Sequence, residues 1–143
     1  MLPSINISSS VAVYVQIENE IRFAIASGKL KASDRLHSVR EMSETLGVNP
    51  NTVAKSYRDL EVMGLLYTRR GMGVYINKGV QAKCRESCGT QITAKLHEVT
   101  QEAMAAGLNR KEIAAVVTKS FAVDASPYSE IPKDILALAK VRK

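Results

Sequence analysis

The sequence predicts an α+β fold that is mostly helical. Three features carry that expectation: amphipathic stretches at helical spacing, closed by glycines; a switch to strand-like patterning after Gly64; and helical stripes again beyond Lys78. Composition agrees. Hydrophobic residues fill 45% of the 143 positions, enough for a packed core, while aromatics reach only 5% and tryptophan is absent, so strand formers of that kind are few. Charged residues at 24% and a mean hydropathy of −0.07 argue against a disordered chain. The length excludes a Rossmann enzyme, a TIM barrel or any large two-domain catalyst.

Residues 11–27 read as the first helix, with Tyr14, Ile17, Ile21, Ala24 and Ile25 on one face and Gln16, Glu18, Asn19 and Arg22 on the other. Gly28 is its stop. Lys29 to Leu36 read as a linker with a turn at Ser33-Asp34. Ser38 followed three residues later by Glu41 is a capping box, opening a short helix that points Val39, Met42 and Leu46 inward and ends at Gly47. Val48 follows as a buried turn residue. Asn49 caps a third helix with Pro50 at its first position, where a missing N–H is harmless; Val53, Tyr57 and Leu60 form its inner stripe and Gly64 ends it. Two short helices joined by a tight glycine-containing turn make the helix-turn-helix shape.

Leu65 to Arg69 and Val74 to Ile76 then read as strands joined by Arg70-Gly71-Met72-Gly73, a short hairpin with a basic tip. Residues 79–106 are expected to be helical, with Ile92, Leu96, Val99 and Ala103 in register. Gly107 interrupts. Asn109 caps a further helix striped by Ile113, Val116, Val117 and Phe121. Ser126-Pro127 breaks the pattern, and Ile131 to Lys143 suggest a weak basic terminal helix around Ile135, Leu138 and Ala139. Two parts follow: residues 1–78, and a helical region over 79–143 with an extended tail.

Helix, helix, turn, helix and basic hairpin, in that order, spell a winged helix-turn-helix. In that arrangement the second helix of the pair presents its first residues to base edges in the major groove. Here those are Asn49, Asn51, Thr52, Lys55 and Ser56. Asparagine pairs bidentately with adenine, hydroxyls take either role, and the helix N-terminus turns free N–H groups toward phosphate. Capping alone would also account for Asn49, and first-turn preference for Asn51 and Thr52; the basic hairpin in the right place favours DNA. Arg40, in the first turn of the preceding helix, can reach a guanine or a phosphate, or simply pair with Glu44 one turn on. Arg69 and Arg70 precede Gly71 and Gly73, where a bare backbone permits close approach to a groove; a charged edge that deters strand pairing is the plainer alternative. Net charge is +6, but each half carries 10 basic and 7 acidic groups, so placement and not bulk charge must locate the anion partner.

The run YVQIENEIRFAIASGKLKASDRLHSVREMSETLGVNPNTVAKSYRDLEVMGLLYTRRGMGVYI, about residues 12–77, resembles the GntR family DNA-binding domain. It carries Gly-x-Leu, Leu-x-Ser-x-Arg-Glu, Leu-Gly-Val, Asn-x-x-Thr-Val, Leu-Glu-x-x-Gly and Arg-Arg-Gly-x-Gly at matched spacing. The resemblance implies a bacterial transcription regulator that binds a palindromic operator as a homodimer. It puts Arg40 on a base-contacting arginine, Asn49, Asn51 and Thr52 on recognition-helix contacts, and Gly71 on the wing tip. Two positions depart from the pattern: His37 stands where proline is usual before the helix serine, and Ser33 lies near the usual linker glycine. The segment after the wing is too short for the large effector domain of many relatives and resembles the YtrA subfamily, whose short C-terminal helices dimerise. That resemblance assigns dimerisation to Ile92, Leu96, Val99, Ala103, Ile113, Val116, Val117 and Phe121, and implies repression, often of transporter operons. It gives no role to the stretch past Asp124.

Double-stranded DNA and a second copy of the chain are therefore the expected partners, with an unidentified effector as a further one. Cys84 and Cys88 share one helix face and offer half of a metal site or a redox pair, but Cys-x3-Cys alone is a weak motif and two reduced thiols are the simpler reading. A sensor of metal, thiol state or small molecule is the alternative function, and a winged helix used for protein contacts another. No cofactor is expected, and no catalytic constellation or phosphate loop marks an enzyme. With no signal peptide and no membrane-length apolar run, the expected location is the cytoplasm, without membrane contact.

Overall fold

The computed structural model describes residues 4–124 and 126–139. It contains helices α1 (Val13–Ala26), α2 (Val39–Leu46), α3 (Pro50–Val62), α4 (Gln81–Ala105), α5 (Arg110–Ser120) and α6 (Lys133–Leu136), strands β1 (Arg35–Leu36), β2 (Leu66–Arg69) and β3 (Gly73–Ile76), and a closing 3-10 turn, Ala137–Ala139. The expected terminal helix is thus a single turn of α-helix and a 3-10 turn; its last residues, 140–143, lie outside the described residues. The chain divides into two compact units, one running through Gly89 and one beginning at Thr90.

The first unit has one core. Ile17, Ile21 and Ile25 from α1, Met42 from α2, Val53, Tyr57 and Leu60 from α3, and Leu36, Leu66 and Ile76 from the sheet are buried together. Val48 is half-buried against that cluster. The capping box at α2 forms in full: the Glu41 N–H donates to Ser38 Oγ at 3.0 Å and the Ser38 N–H to Glu41 Oε2 at 3.1 Å. Gly47 ends α2 at φ +67°, a conformation costly for any residue with a Cβ, and Val48 N–H closes the end onto Ser43 O. That single left-handed residue turns the chain from α2 into α3.

Three antiparallel strands form the wing sheet in the order β1-β3-β2. β1 lies within the stretch read from sequence as a linker. Two residues are too short to show an alternating pattern, so its pairing with β3 comes entirely from the tertiary fold. The turn expected at Ser33-Asp34 is present, with Ser33 at φ +71° and Asp34 N–H donating to Lys31 O.

The first helix differs from its sequence reading on one face. Gln16 and Glu18, expected outside with Asn19 and Arg22, are buried. Gln16 holds the preceding segment: its Oε1 accepts from Asn6 N–H at 2.9 Å, and its Nε2 donates to Asn6 O and Val11 O, each at 2.8 Å. Every polar atom lost to water there is replaced by backbone, which makes burial affordable.

The second unit holds most of α4, then α5 and α6. Asn109 caps α5 in a second reciprocal box with Glu112. Ile92, Leu96, Val99, Val117 and Phe121 are exposed, Phe121 to 84%, while Ala103, Ile113 and Val116 are half-buried.

Candidate nucleic-acid interface

The polar end of α3 is built by its cap. Asn49 Oδ1 accepts from Asn51 N–H at 2.8 Å, so one side-chain acceptor is spent on the helix and its amide group remains available as a donor. Asn49 and Asn51 are exposed and Thr52 is half-buried. Arg40 stands exposed on the first turn of α2, with Nε 3.0 Å from Glu44 Oε1. An exposed i,i+4 pair of this kind contributes only a few tenths of a kcal/mol, about 0.3–0.5, so a phosphate or guanine can displace it.

Ser56 does not belong to this surface. It is 0% exposed, and its single hydroxyl proton is shared between Tyr14 O at 2.9 Å and Thr52 O at 3.1 Å. Helical spacing puts Ser56 a full turn past Thr52, on the side that α1 covers. The expectation of a base contact is corrected: Ser56 joins α3 to α1.

Lys55 is exposed but tethered. Its Nζ lies 3.2 Å from Asp59 Oδ2 and 4.7 Å above the ring of Tyr14. Behind it sits a carboxyl pair. Burial, then a hydrogen bond and charge repulsion from Asp59, push Glu18 up to about 7. The same Glu18 hydrogen bond and the Lys55 ammonium hold Asp59 below its ordinary value. Below about pH 7 the pair therefore holds one proton, on Glu18, and Asp59 is the ionised partner. Pattern reading missed this pair because Glu18 counts as an outer-face residue by spacing alone.

In the wing, Arg69 pairs with Gly73 across the strands, and Met72 N–H returns to Arg69 O at 2.9 Å, with Gly71 at φ +78° inside the turn. Arg69, Arg70 and Gly71 are exposed. Gly71 faces open space, whereas a Cβ at Gly73 would lie 2.9 Å from Nε of Arg35. Gly73 is thus covered by an arginine that sequence reading assigned to a linker.

The thiols of Cys84 and Cys88 are free and buried. Cys84 Sγ lies 3.4 Å from Arg22 O, and burial pushes its thiol up to about 11. Among the described residues no group of three His, Cys, Asp or Glu side chains is placed to hold a metal, and no helix is long and apolar enough to cross a membrane. In the second unit a cavity of about 400 Å³ opens among Val116, Ser120, Val123, Ile131 and Ile135.

Comparison with known proteins adds a family. The profile of the gntR family of bacterial regulatory proteins matches residues 13–76, from the start of α1 to the end of β3. The HTH-type transcriptional repressor YtrA of Bacillus subtilis is 34% identical over 105 residues, 73% of this chain and 81% of that protein. A GntR family transcriptional regulator from Listeria monocytogenes superposes with a TM-score of 0.61 at 34% identity, covering 78% of this chain and 97% of that one. YtrA from Sulfolobus acidocaldarius, a GntR-family transcription factor, gives 0.52 at 30% identity over 66% of this chain and 99% of its own. With the helix-turn-helix, its cap and its wing all formed within the matched residues, the chain belongs to the GntR family of transcription regulators, and its relatives include the YtrA-type repressors.

Proposed function

We propose that this protein represses transcription by binding a palindromic operator as a homodimer, in the cytoplasm and without catalysis. The observation that carries the reading is the exposed polar end of α3, Asn49 and Asn51 with Thr52 beside them, in the same compact unit as the exposed Arg40 on α2 and the Arg69-Arg70-Gly71 wing tip. Amide and guanidinium donors at a helix start suit base edges, and arginines on a glycine-rich tip suit the minor groove or the phosphates beside it. The exposed apolar residues of α4 and α5 support dimerisation, since a symmetric partner would cover them and set the spacing of two half-sites. Transporter genes are the targets that the likeness to YtrA-type regulators suggests.

Selection of bound duplexes from random DNA by the purified protein tests this. An enriched inverted repeat with fixed half-site spacing is the expected result. Recovery of unrelated sequences, with binding that only decays with salt, would overturn the operator assignment. Repeating the selection with and without reductant and chelator addresses the sensor alternative. Metal binding and oxidation both need a thiolate, and the buried, raised Cys84 thiol disfavours them; the largely apolar cavity beside α5 leaves a small apolar effector as the form of that alternative with structural support.

A further inference from the structure

Arg35 stands on β1, opposite Tyr75 on β3. Its guanidinium is not there. Nε lies over Gly73, two residues nearer the tip of the hairpin, in the space a Cβ would fill at 2.9 Å, with Cδ and Cζ each 3.7 Å from that point. The side chain therefore runs along the sheet toward the wing tip, and Gly73, at φ +127°, is required both for its backbone angle and for this passage. In the pairing register Arg35, Tyr75 and Tyr67 lie side by side across the sheet, on the face opposite Leu36 and Ile76. The two tyrosine rings stack at 5.5 Å and stiffen that face.

Charge at the tip is one-sided. From Leu65 to Lys78 the chain has no Asp or Glu. Among the described residues, Arg35, Arg69 and Arg70 form no ion pair within 4 Å. Arg35 acts on Glu41 through charge, but that carboxylate is engaged by Ser38 N–H and His37. Three arginines at the wing end of one sheet, none of them in an ion pair within 4 Å among the described residues, suit a polyanion, and their planar forks match phosphate oxygens.

We propose that Arg35, laid across Gly73, is a third arginine of the wing tip and binds a backbone phosphate of duplex DNA. This rests on the DNA-binding reading above. It changes the role of Gly73 as well: the glycine serves the arginine that covers it and is not itself the point of approach to DNA.

The test measures affinity against salt concentration for the full-length protein, on a duplex bearing the selected operator and on a scrambled duplex of equal length. Arg35→Ala is expected to weaken both by about 3- to 10-fold and to lower the log–log salt slope by about 1, because one phosphate contact is lost whatever the sequence. Arg35→Gln keeps the stem over Gly73 and removes only the charge, so it must lower the slope equally. Unchanged slope and affinity in either variant would overturn the proposal, as would a loss confined to the operator, which marks a base reader. If the unaltered protein binds neither duplex, the DNA-binding reading itself fails; if it binds and the variants match it, only the role of Arg35 fails.

Discussion

The hydroxyl of Tyr57 donates to the backbone carbonyl of His37 at 2.6 Å, tying the middle of α3 to the residue just before the Ser38 cap of α2. The bond explains how His37 can stand where proline is usual in the family pattern: the chain approaches α2 on a backbone carbonyl held from below and on the Ser38–Glu41 box, neither of which needs a proline ring. Burial of the phenol, foremost, pushes its ionisation above the ordinary value, so the hydroxyl remains a donor at any ordinary pH. Tyr57→Phe leaves that carbonyl without its partner in a largely dry setting. The expected loss is about 1–3 kcal/mol by chemical denaturation; an unchanged midpoint would show that water replaces the phenol at no cost.

How far the fold could be read from the chain depended on whether the signal was local. Glycines at 47 and 64, the Ser38 and Asn109 caps and the stripe of Val53, Tyr57 and Leu60 all act over one or two turns, and each is found as expected. Gln16, Glu18 and Ser56 were misplaced for the opposite reason. Polar residues count as outward in any periodicity, and only the packing of α1 against α3 or the approach of the N-terminal segment gives them partners. Arg35 was missed because the two-residue strand that carries it exists only through β3.

Glu18 supplies a pH dependence of unusual sign. Its carboxyl is pushed from an ordinary 4.5 to about 7, chiefly by burial, so between those values the folded protein holds a proton that the unfolded chain has released. Stability from this group is full below about pH 4.5 and declines as pH rises toward and through 7. The depressed Asp59 works in the other direction, but at lower pH. Glu18→Gln mimics the protonated form, and is expected to raise stability by about 1–2 kcal/mol at pH 8 with little gain at pH 5. Melting curves of the two proteins at both pH values decide it; an equal shift at both would mean that Glu18 acts by packing and not by charge.

Arg40 and Ser56 should separate cleanly in a binding assay. Arg40 is exposed, and its pairing with Glu44 is weak, so Arg40→Ala should cost about 1–3 kcal/mol of operator affinity while leaving the melting temperature nearly unchanged. Ser56 is enclosed, so Ser56→Ala should lower the melting temperature and leave the sequence preference as it was. A changed operator motif with Ser56→Ala would return that residue to the DNA surface.

The second unit offers the remaining test. Ile92, Leu96 and Val99 on α4 and Phe121 after α5 are all 42% exposed or more in the single chain, and an isolated copy would leave them in water. Burying a Leu or Val side chain contributes about 1.5–3 kcal/mol, so several such residues from each of two copies supply enough to offset the entropy of association. A charge there costs nothing in the monomer and much in a dimer interface. Leu96→Asp is therefore expected to halve the mass in solution, measured by light scattering. It should leave the unfolding of the first unit intact and reduce operator affinity well over tenfold, because two linked half-sites become two independent ones. A dimer that persists in Leu96→Asp and in Val99→Asp would move the interface away from this face of α4.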